Sequence, residues 1–198
     1  MGFVSNAQPP IIIPNISDIP IESTLNTLLE LGETSIAINP RNPNHVFCLS
    51  LAHYGAGGIG GFAPFYSSDG GYSWTSKSST TNFILNQALY FGDPSCEMSN
   101  TDIVFIQGLG ANAKVQLMAF NISNSPSSTQ DVDISPSSDR DNLVLYDTPI
   151  GGPIIHSAWR NSGPIPYQIY VSHSYDNGAT WSTPPEEIIN PSFIAPAS

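Results

Sequence analysis

The sequence predicts an all-β protein built from antiparallel sheets of four strands. Two octapeptides, Ser67–Trp74 and Ser174–Trp181, share the pattern S-x-D-x-G-x-[ST]-W, and their aspartates lie 107 positions apart. Short apolar runs rich in β-branched and aromatic residues recur along the chain, bounded by Gly, Pro, Asn or Asp as strands are. The 18 prolines and 16 glycines among 198 residues fit a protein with many turns.

Each octapeptide is predicted to form the hairpin turn between the third and fourth strands of a sheet. Its aspartate can accept hydrogen bonds from nearby backbone N–H groups, and its glycine can take a positive φ. Its tryptophan is predicted to open the fourth strand and to bury a large ring. These structural positions are Ser67, Asp69, Gly71 and Trp74 in the first copy, and Ser174, Asp176, Gly178 and Trp181 in the second.

The spacing of the octapeptides predicts three sheets. A repeated four-stranded unit typically takes about 40–50 residues, so the separation suits two units and a middle unit without the octapeptide. The first strands are predicted at 33–39, 93–98 and 141–147, the second at 46–51, 103–107 and 154–159, and the third at 62–66, 115–120 and 168–172.

The octapeptides resemble the Asp box, or bacterial neuraminidase repeat, of sialidases and related β-propellers. Residues 33–44, which read E-x-S-I-A-x-N-P-x-N-P-N, are also similar to the first blade of secreted sialidase-like propellers. The resemblance covers about residues 30–190 and implies three blades, half of the six in a sialidase propeller. It divides the chain into an extended N-terminal segment 1–30, a three-blade unit 31–190 and a C-terminal tail 191–198.

The resemblance also implies which groups a sialidase requires. Sialidases bind the substrate carboxylate through three arginines and use a Tyr nucleophile with an Asp general acid/base. Successive loops of an antiparallel sheet lie alternately at the two ends of its strands. Arg41 is therefore predicted at the same end as the octapeptides, away from the functional face of sialidases. Arg140 and Arg160 remain for that face, and residues 10–14 lack the arginine of the family's Phe/Tyr-Arg-Ile-Pro motif. The chain is therefore predicted not to act as a sialidase alone.

Two functional hypotheses follow. The first is a non-catalytic propeller module of an extracellular or virion-surface protein, which binds a glycan or protein or assembles with other copies of itself or with further blades. Its candidate binding residues are assigned to loops of the functional face: His53, Tyr54, Asp93, Arg140, Asp141 and Arg160. The alternative is the N-terminal half of a larger exo-sialidase or related glycoside hydrolase whose catalytic residues are completed outside this chain.

The composition of the chain limits the classes of partner that it is expected to bind. A net charge of -11 argues against nucleic acids and anionic membranes, since both bind basic surfaces. No apolar run approaches the roughly 18 residues of a membrane span, so membrane insertion is not expected. The start of the chain lacks the basic and apolar regions of a signal peptide, while the resemblance implies an extracellular or cell-surface location.

Two residue groups leave alternatives open. Cys48 and Cys96 fall on predicted strands of adjacent sheets, so they form either a disulfide between the sheets or two buried free thiols. An acidic stretch forms either a Ca²⁺ site or a solvated loop, and no other cofactor is predicted; it comprises Asp131, Asp133, Asp139 and Asp141. The run Gly55–Gly60 matches G-x-G-x-x-G but precedes no helix pattern, and is predicted to be a flexible loop.

Overall fold

The computed structural model describes residues 29–54, 58–76, 92–110, 114–123, 130–132, 138–148, 152–161, 168–183 and 185–189. Within these ranges the chain forms twelve β-strands and no helix. The strands are β1 Leu29–Ile38, β2 Val46–Tyr54, β3 Gly58–Ser67, β4 Thr75–Ser76, β5 Gly92–Met98, β6 Ile103–Leu109, β7 Val115–Asn121, β8 Gln130–Asp131, β9 Ser138–Tyr146, β10 Ile154–Asn161, β11 Ile169–Ser174 and β12 Glu186–Ile189.

The strands form three separate sheets of four, each made of consecutive strands in the orders β1-β2-β3-β4, β5-β6-β7-β8 and β9-β10-β11-β12. Neighbouring strands within each sheet are antiparallel. We call them the first, second and third sheets. The all-β class and the antiparallel pairing predicted from the sequence are confirmed, and the sheets of the described residues do not close on themselves.

The first hairpin is longer than predicted. β1 begins at Leu29, and β2 continues to Tyr54, where it pairs with Gly58 of β3. The prediction of a loop was therefore wrong for residues 58–60, whereas residues 55–57 lie outside the described part. The ladder continues because it shifts register between Ala52 and His53, where Gly61 has a φ of 106° and accommodates the irregularity.

Two apolar cores hold the sheets face to face. The first lies between the first and second sheets and includes Phe47 and Phe62 on one side and Val104 and Phe120 on the other. The second lies between the second and third sheets and centres on Trp159. Side chains of a strand point alternately to its two sides, so β6 of the second sheet is buried at five consecutive residues, 104–108, and contributes to both cores.

The first strands of successive sheets are joined by one repeated hydrogen bond. The Cys96 N–H of β5 donates to the hydroxyl oxygen of Ser35 on β1 at 3.0 Å, and the Leu143 N–H of β9 donates to that of Ser95 on β5 at 3.0 Å. β1 contacts β5, and β5 contacts β9. The repeated bond makes Ile36, Cys96 and Leu143 equivalent positions of the three sheets.

The two cysteines are free and buried, so of the two alternatives the structure has thiols rather than a disulfide. Burial raises the pKa of both thiols, that of Cys96 to about 12. The Cys96 sulfur lies 3.5 Å from the Ser35 hydroxyl oxygen, within the contact of the first and second sheets. Both cysteines therefore serve the structure as small packing residues.

Candidate functional site

The two octapeptides form turns that follow the third strands β3 and β11, and we call residues 67–74 and 174–181 the box turns. In the first, the Ser67 hydroxyl donates to Asp69 Oδ1 at 2.7 Å and accepts from the Gly71 N–H at 2.8 Å. The N–H and hydroxyl of Ser73 donate to the two Asp69 carboxylate oxygens at 2.8 and 2.6 Å. Each side chain thus satisfies groups of its own turn.

The second box turn repeats this network. The Ser174 hydroxyl donates to Asp176 at 2.8 Å and accepts from the Gly178 N–H at 2.9 Å, and Thr180 donates its N–H and hydroxyl at 2.8 and 2.6 Å. Hydrogen bonds from the Thr180 hydroxyl, the Thr180 N–H and the Ser174 hydroxyl lower the pKa of Asp176 to about 2. The carboxylates of the box turns are thus committed to local structure.

The tryptophans of the two box turns differ in their distance from the strand that follows. β4 begins at Thr75, directly after Trp74, but β12 begins only at Glu186, so the prediction that Trp181 opens a strand was wrong. Two prolines lie between Trp181 and β12, and proline has no N–H to donate to a ladder. Trp181 is half-buried and packs against the second core.

All six candidate binding residues lie in strands, so a loop position was wrong for His53, Tyr54, Arg140 and Arg160, whereas Asp93 and Asp141 lie in the first strands predicted at 93–98 and 141–147. His53 and Tyr54 end β2, Asp93 is the second residue of β5, and Arg160 is the last but one of β10. Arg140 and Asp141 lie within β9, because pairing with β10 begins at Ser138. The side chains of His53, Tyr54 and Arg140 are outside the described part of the structure.

The structure brings two of these residues, Asp93 and Asp141, into one pocket. Its volume is about 380 Å³, and it lies where the three first strands converge. Among the described residues, its lining consists of Glu33, Thr34, Asp93, Pro94, Asp141 and Asn142. Arg160 does not line this pocket and forms an ion pair with Asp139. We call this site the acidic pocket.

The acidic pocket and the box turns lie at different levels along the strands. Ser67, which opens the first box turn, is level with Ile38 through Val46, whereas Thr34 lies four residues earlier on β1. Four residues of a strand span roughly 13 Å. In the third sheet, Asp141 likewise precedes by four residues the position level with the second box turn. The pocket is therefore separated from the box turns by about four residues along the first strands.

Glu33 and Asp93 occupy equivalent bulges. β1 shifts register between Gly32 and Thr34, and β5 shifts between Gly92 and Ser95. Glu33 has a φ of 44° and Asp93 a φ of 52°, in the left-handed region that side chains seldom adopt. The Asp93 N–H donates to Glu33 Oε2 at 3.2 Å across the sheets. Strained backbone of this kind is concentrated at functional sites.

Sequence reasoning missed Glu33 as a site residue. The sequence contains a repeat that could have identified Glu33 as the counterpart of Asp93, because residues 32–35 and 92–95 both read G-[DE]-x-S. The serines of this repeat form the hydrogen bonds between sheets, and the acidic residues two positions before them line the pocket.

Asp141 is the buried member of the acidic pocket. Its residue is 9% exposed, and in the described part of the chain neither carboxyl oxygen has a hydrogen-bond partner. Burial raises the pKa of Asp141 to about 8, and the charge of Asp93 adds to the rise. The neighbouring Gln107 side chain partly counteracts this rise in pKa. Gln107 Nε2 donates its hydrogen bond to the Asn142 carbonyl oxygen at 3.1 Å, not to the Asp141 carboxyl group. The raised pKa of Asp141 favours the neutral form of its carboxyl group.

The carboxyl groups of the acidic pocket offer oxygen atoms that can accept hydrogen bonds. No group of three or more His, Cys, Asp or Glu side chains able to hold a metal ion occurs among the described residues. Asp131 and Asp139 lie in strands β8 and β9, and Asp133 lies outside the described part. In the same ranges, no helix has the length and apolar character needed to cross a membrane.

The sequence matches no protein-family model, and no curated protein is significantly similar to it.

Proposed function

We propose that this chain is a three-blade segment of a sialidase-like β-propeller that acts without catalysis as a binding and assembly module of an extracellular or virion-surface protein. The repeated hydrogen bonds from Cys96 to Ser35 and from Leu143 to Ser95 support a series of equivalent blades. The two box turns support the same arrangement, since their networks agree bond by bond.

The observation that carries the binding function is the acidic pocket at the convergence of the first strands. It is a polar depression that is open to solvent, so a ligand would bind there through the groups at its surface. Glu33 is exposed and Asp93 half-exposed, and both have a positive φ. Carboxylate oxygens accept charge-assisted hydrogen bonds from hydroxyl groups, which are abundant on sugars. A glycan is therefore the ligand that we propose.

The charge of the pocket selects among glycans. A sialic acid brings its own carboxylate, which Glu33 and Asp93 would repel. The Arg160 guanidinium is paired with Asp139 and does not line the pocket. The pocket thus favours a neutral or amino sugar, and its chemistry differs from that of a sialidase site.

A second candidate function, part of a larger glycoside hydrolase, is favoured by Asp141. A carboxyl group with a raised pKa beside other carboxylates has the properties of the general acid in glycoside hydrolysis. Both Asp141 oxygens are buried, so a substrate reaches them only if the pocket is completed or rearranged by groups outside this chain.

Binding of the purified chain to neutral, amino-sugar and sialylated oligosaccharides tests the proposal. We expect binding of a neutral or amino sugar that Asp93→Asn and Glu33→Gln each weaken roughly 10-fold or more, the cost of losing a charged hydrogen bond. Glu186→Gln is the matched control, because Glu186 is an exposed residue of β12 at the far edge of the third sheet. Preference for sialylated ligands, or equal effects of all three variants, would contradict the assignment.

An assay with aryl glycosides separates the two candidates. A binding module leaves the glycosidic bond intact at every pH. Release of the aryl group that Asp141→Asn abolishes would favour the glycoside hydrolase instead.

A further inference from the structure

The second strand of the third sheet carries a histidine where the second strands of the other two sheets carry a phenylalanine. The residues that follow the equivalent positions of the first strands are paired with Phe47 in the first sheet, Phe105 in the second and His156 in the third. Both phenylalanines are buried in the apolar cores between the sheets. His156 is exposed. The outer face of the third sheet therefore presents an imidazole where the other two sheets bury an apolar ring.

A second histidine lies beside the first on this face. The pairing of β10 with β11 places His173 directly opposite His156. Side chains of directly opposite residues share one face of a sheet, with β-carbons roughly 4.5–5.5 Å apart. The two imidazole centroids are 6.1 Å apart, and the Tyr175 ring packs edge-on against that of His173 at 5.1 Å. Strand pairing, which the sequence spacing does not reveal, thus creates a histidine pair.

The separation of the two rings suits a shared metal ion. Imidazole nitrogens are the commonest metal ligands in proteins and suit Zn²⁺, Cu²⁺ and Ni²⁺. A ligating nitrogen lies about 2.1 Å from such an ion and about 1.1 Å from its ring centre, so two rings that share one ion have centroids at most about 6.4 Å apart. The centroid distance of 6.1 Å is within this limit. A tetrahedral site requires the rings to approach roughly 1 Å further, which rotation of the exposed His156 side chain allows.

We propose that His156 and His173 form a two-histidine site for a divalent transition-metal ion on the outer face of the third sheet. Among the described residues, no group of three or more His, Cys, Asp or Glu side chains able to hold a metal ion occurs, so water completes the coordination. The ion joins β10 to β11 directly before the second box turn. Neither histidine lines the acidic pocket, and this inference does not rest on the proposed glycan binding.

Titration of the chain with Cu²⁺, Ni²⁺ and Zn²⁺ in isothermal calorimetry tests the site. We expect Cu²⁺ to bind most tightly, as the usual order of divalent metal affinities requires. His156→Gln and His173→Gln should each weaken Cu²⁺ binding roughly 10-fold or more, because a chelating pair becomes a single ligand. His45→Gln is the matched control: His45 lies in the turn between β1 and β2, with its Nδ1 2.7 Å from Asp102 Oδ1. Ca²⁺ should not compete, since it takes oxygen ligands.

Nuclear magnetic resonance locates the bound ion independently of affinity. Paramagnetic Cu²⁺ should broaden the imidazole signals of His156 and His173 before that of His45. Absence of Cu²⁺ binding, equal affinity of the wild type and both pair variants, or broadening that begins at His45 would overturn the inference. Circular dichroism establishes that the variants are folded. Loss of the metal site with intact glycan binding refutes this inference alone, and the reverse result refutes only the proposed function.

Discussion

The backbone of Gly178, in the second box turn, lies directly against the side chain of Leu117 on β7. A β-carbon at Gly178 would collide with Leu117, so the turn of the third sheet uses a glycine to approach the second sheet. Gly71, its counterpart in the first box turn, has space for a β-carbon, whose nearest atom would be in the Trp74 ring at 3.7 Å. Both glycines have positive φ, 84° and 95°.

This difference predicts unequal effects of alanine at the two glycines. Gly71→Ala should cost about 1–2 kcal/mol of unfolding free energy, because an L-residue is strained in the left-handed region. Gly178→Ala should cost roughly 1–3 kcal/mol more, because overpacking against Leu117 adds to the same strain. Urea unfolding of the two variants measures the difference. Equal costs would contradict the close approach of Gly178 to Leu117.

The hydrogen bonds between sheets predict a second asymmetry. Ser35→Ala removes the side-chain acceptor of the Cys96 N–H, whereas after Ser95→Ala the Leu143 N–H still donates to Asn142 Oδ1 at 2.8 Å. Because an unsatisfied buried donor costs about 1–3 kcal/mol, Ser35→Ala should destabilise more than Ser95→Ala. Ser68→Ala, at an exposed position of the first box turn, should change the unfolding free energy little. A larger loss for Ser95→Ala would argue against this account.

The box turns predict a loss of stability in acid. The pKa values of Asp69 and Asp176 fall from 3.8 to about 2 in the folded chain, chiefly through hydrogen bonds from the Ser73 and Thr180 hydroxyls. A lowered folded pKa stabilises above the unfolded value, and this stabilisation disappears as the pH falls through the folded value. Stability should therefore decline between about pH 4 and pH 2. Asp69→Asn and Asp176→Asn should each flatten that decline in pH-dependent unfolding, and an unchanged slope would refute the coupling.

Asp141 predicts the opposite trend at higher pH. Its pKa rises from 3.8 to about 8 on folding, because burial penalises the charged form. Between these values the folded chain holds a proton that the unfolded chain has released, so this group makes stability fall as the pH rises. Asp141→Asn should remove this trend, and the variant should gain on the wild type from about pH 4 to pH 8. A constant difference in unfolding free energy across that range would show that Asp141 is not protonated.

Local sequence determined the parts of the molecule whose contacts are local. The box turns could be predicted because the bonds of Ser67, Asp69 and Ser73 join residues at most four positions apart. The first three strands of each sheet could be located because apolar runs end at turn residues, although their ends moved where pairing extended them, as at Tyr54 and Gly58. The short fourth strands carry too few residues to leave a periodic pattern.

The acidic pocket depended on the tertiary structure. The sequence supplied Asp93 and Asp141 as candidates, but not their meeting with Glu33, because bulges in separate sheets bring these residues together. Ile36, Cys96 and Leu143 make the same point at the sheet faces. All three are apolar residues at equivalent strand positions, yet Ile36 is exposed while Cys96 and Leu143 are buried. Alternation determines which side of a strand a residue faces. Whether the residue is buried depends on whether a part of the chain distant in sequence covers that side.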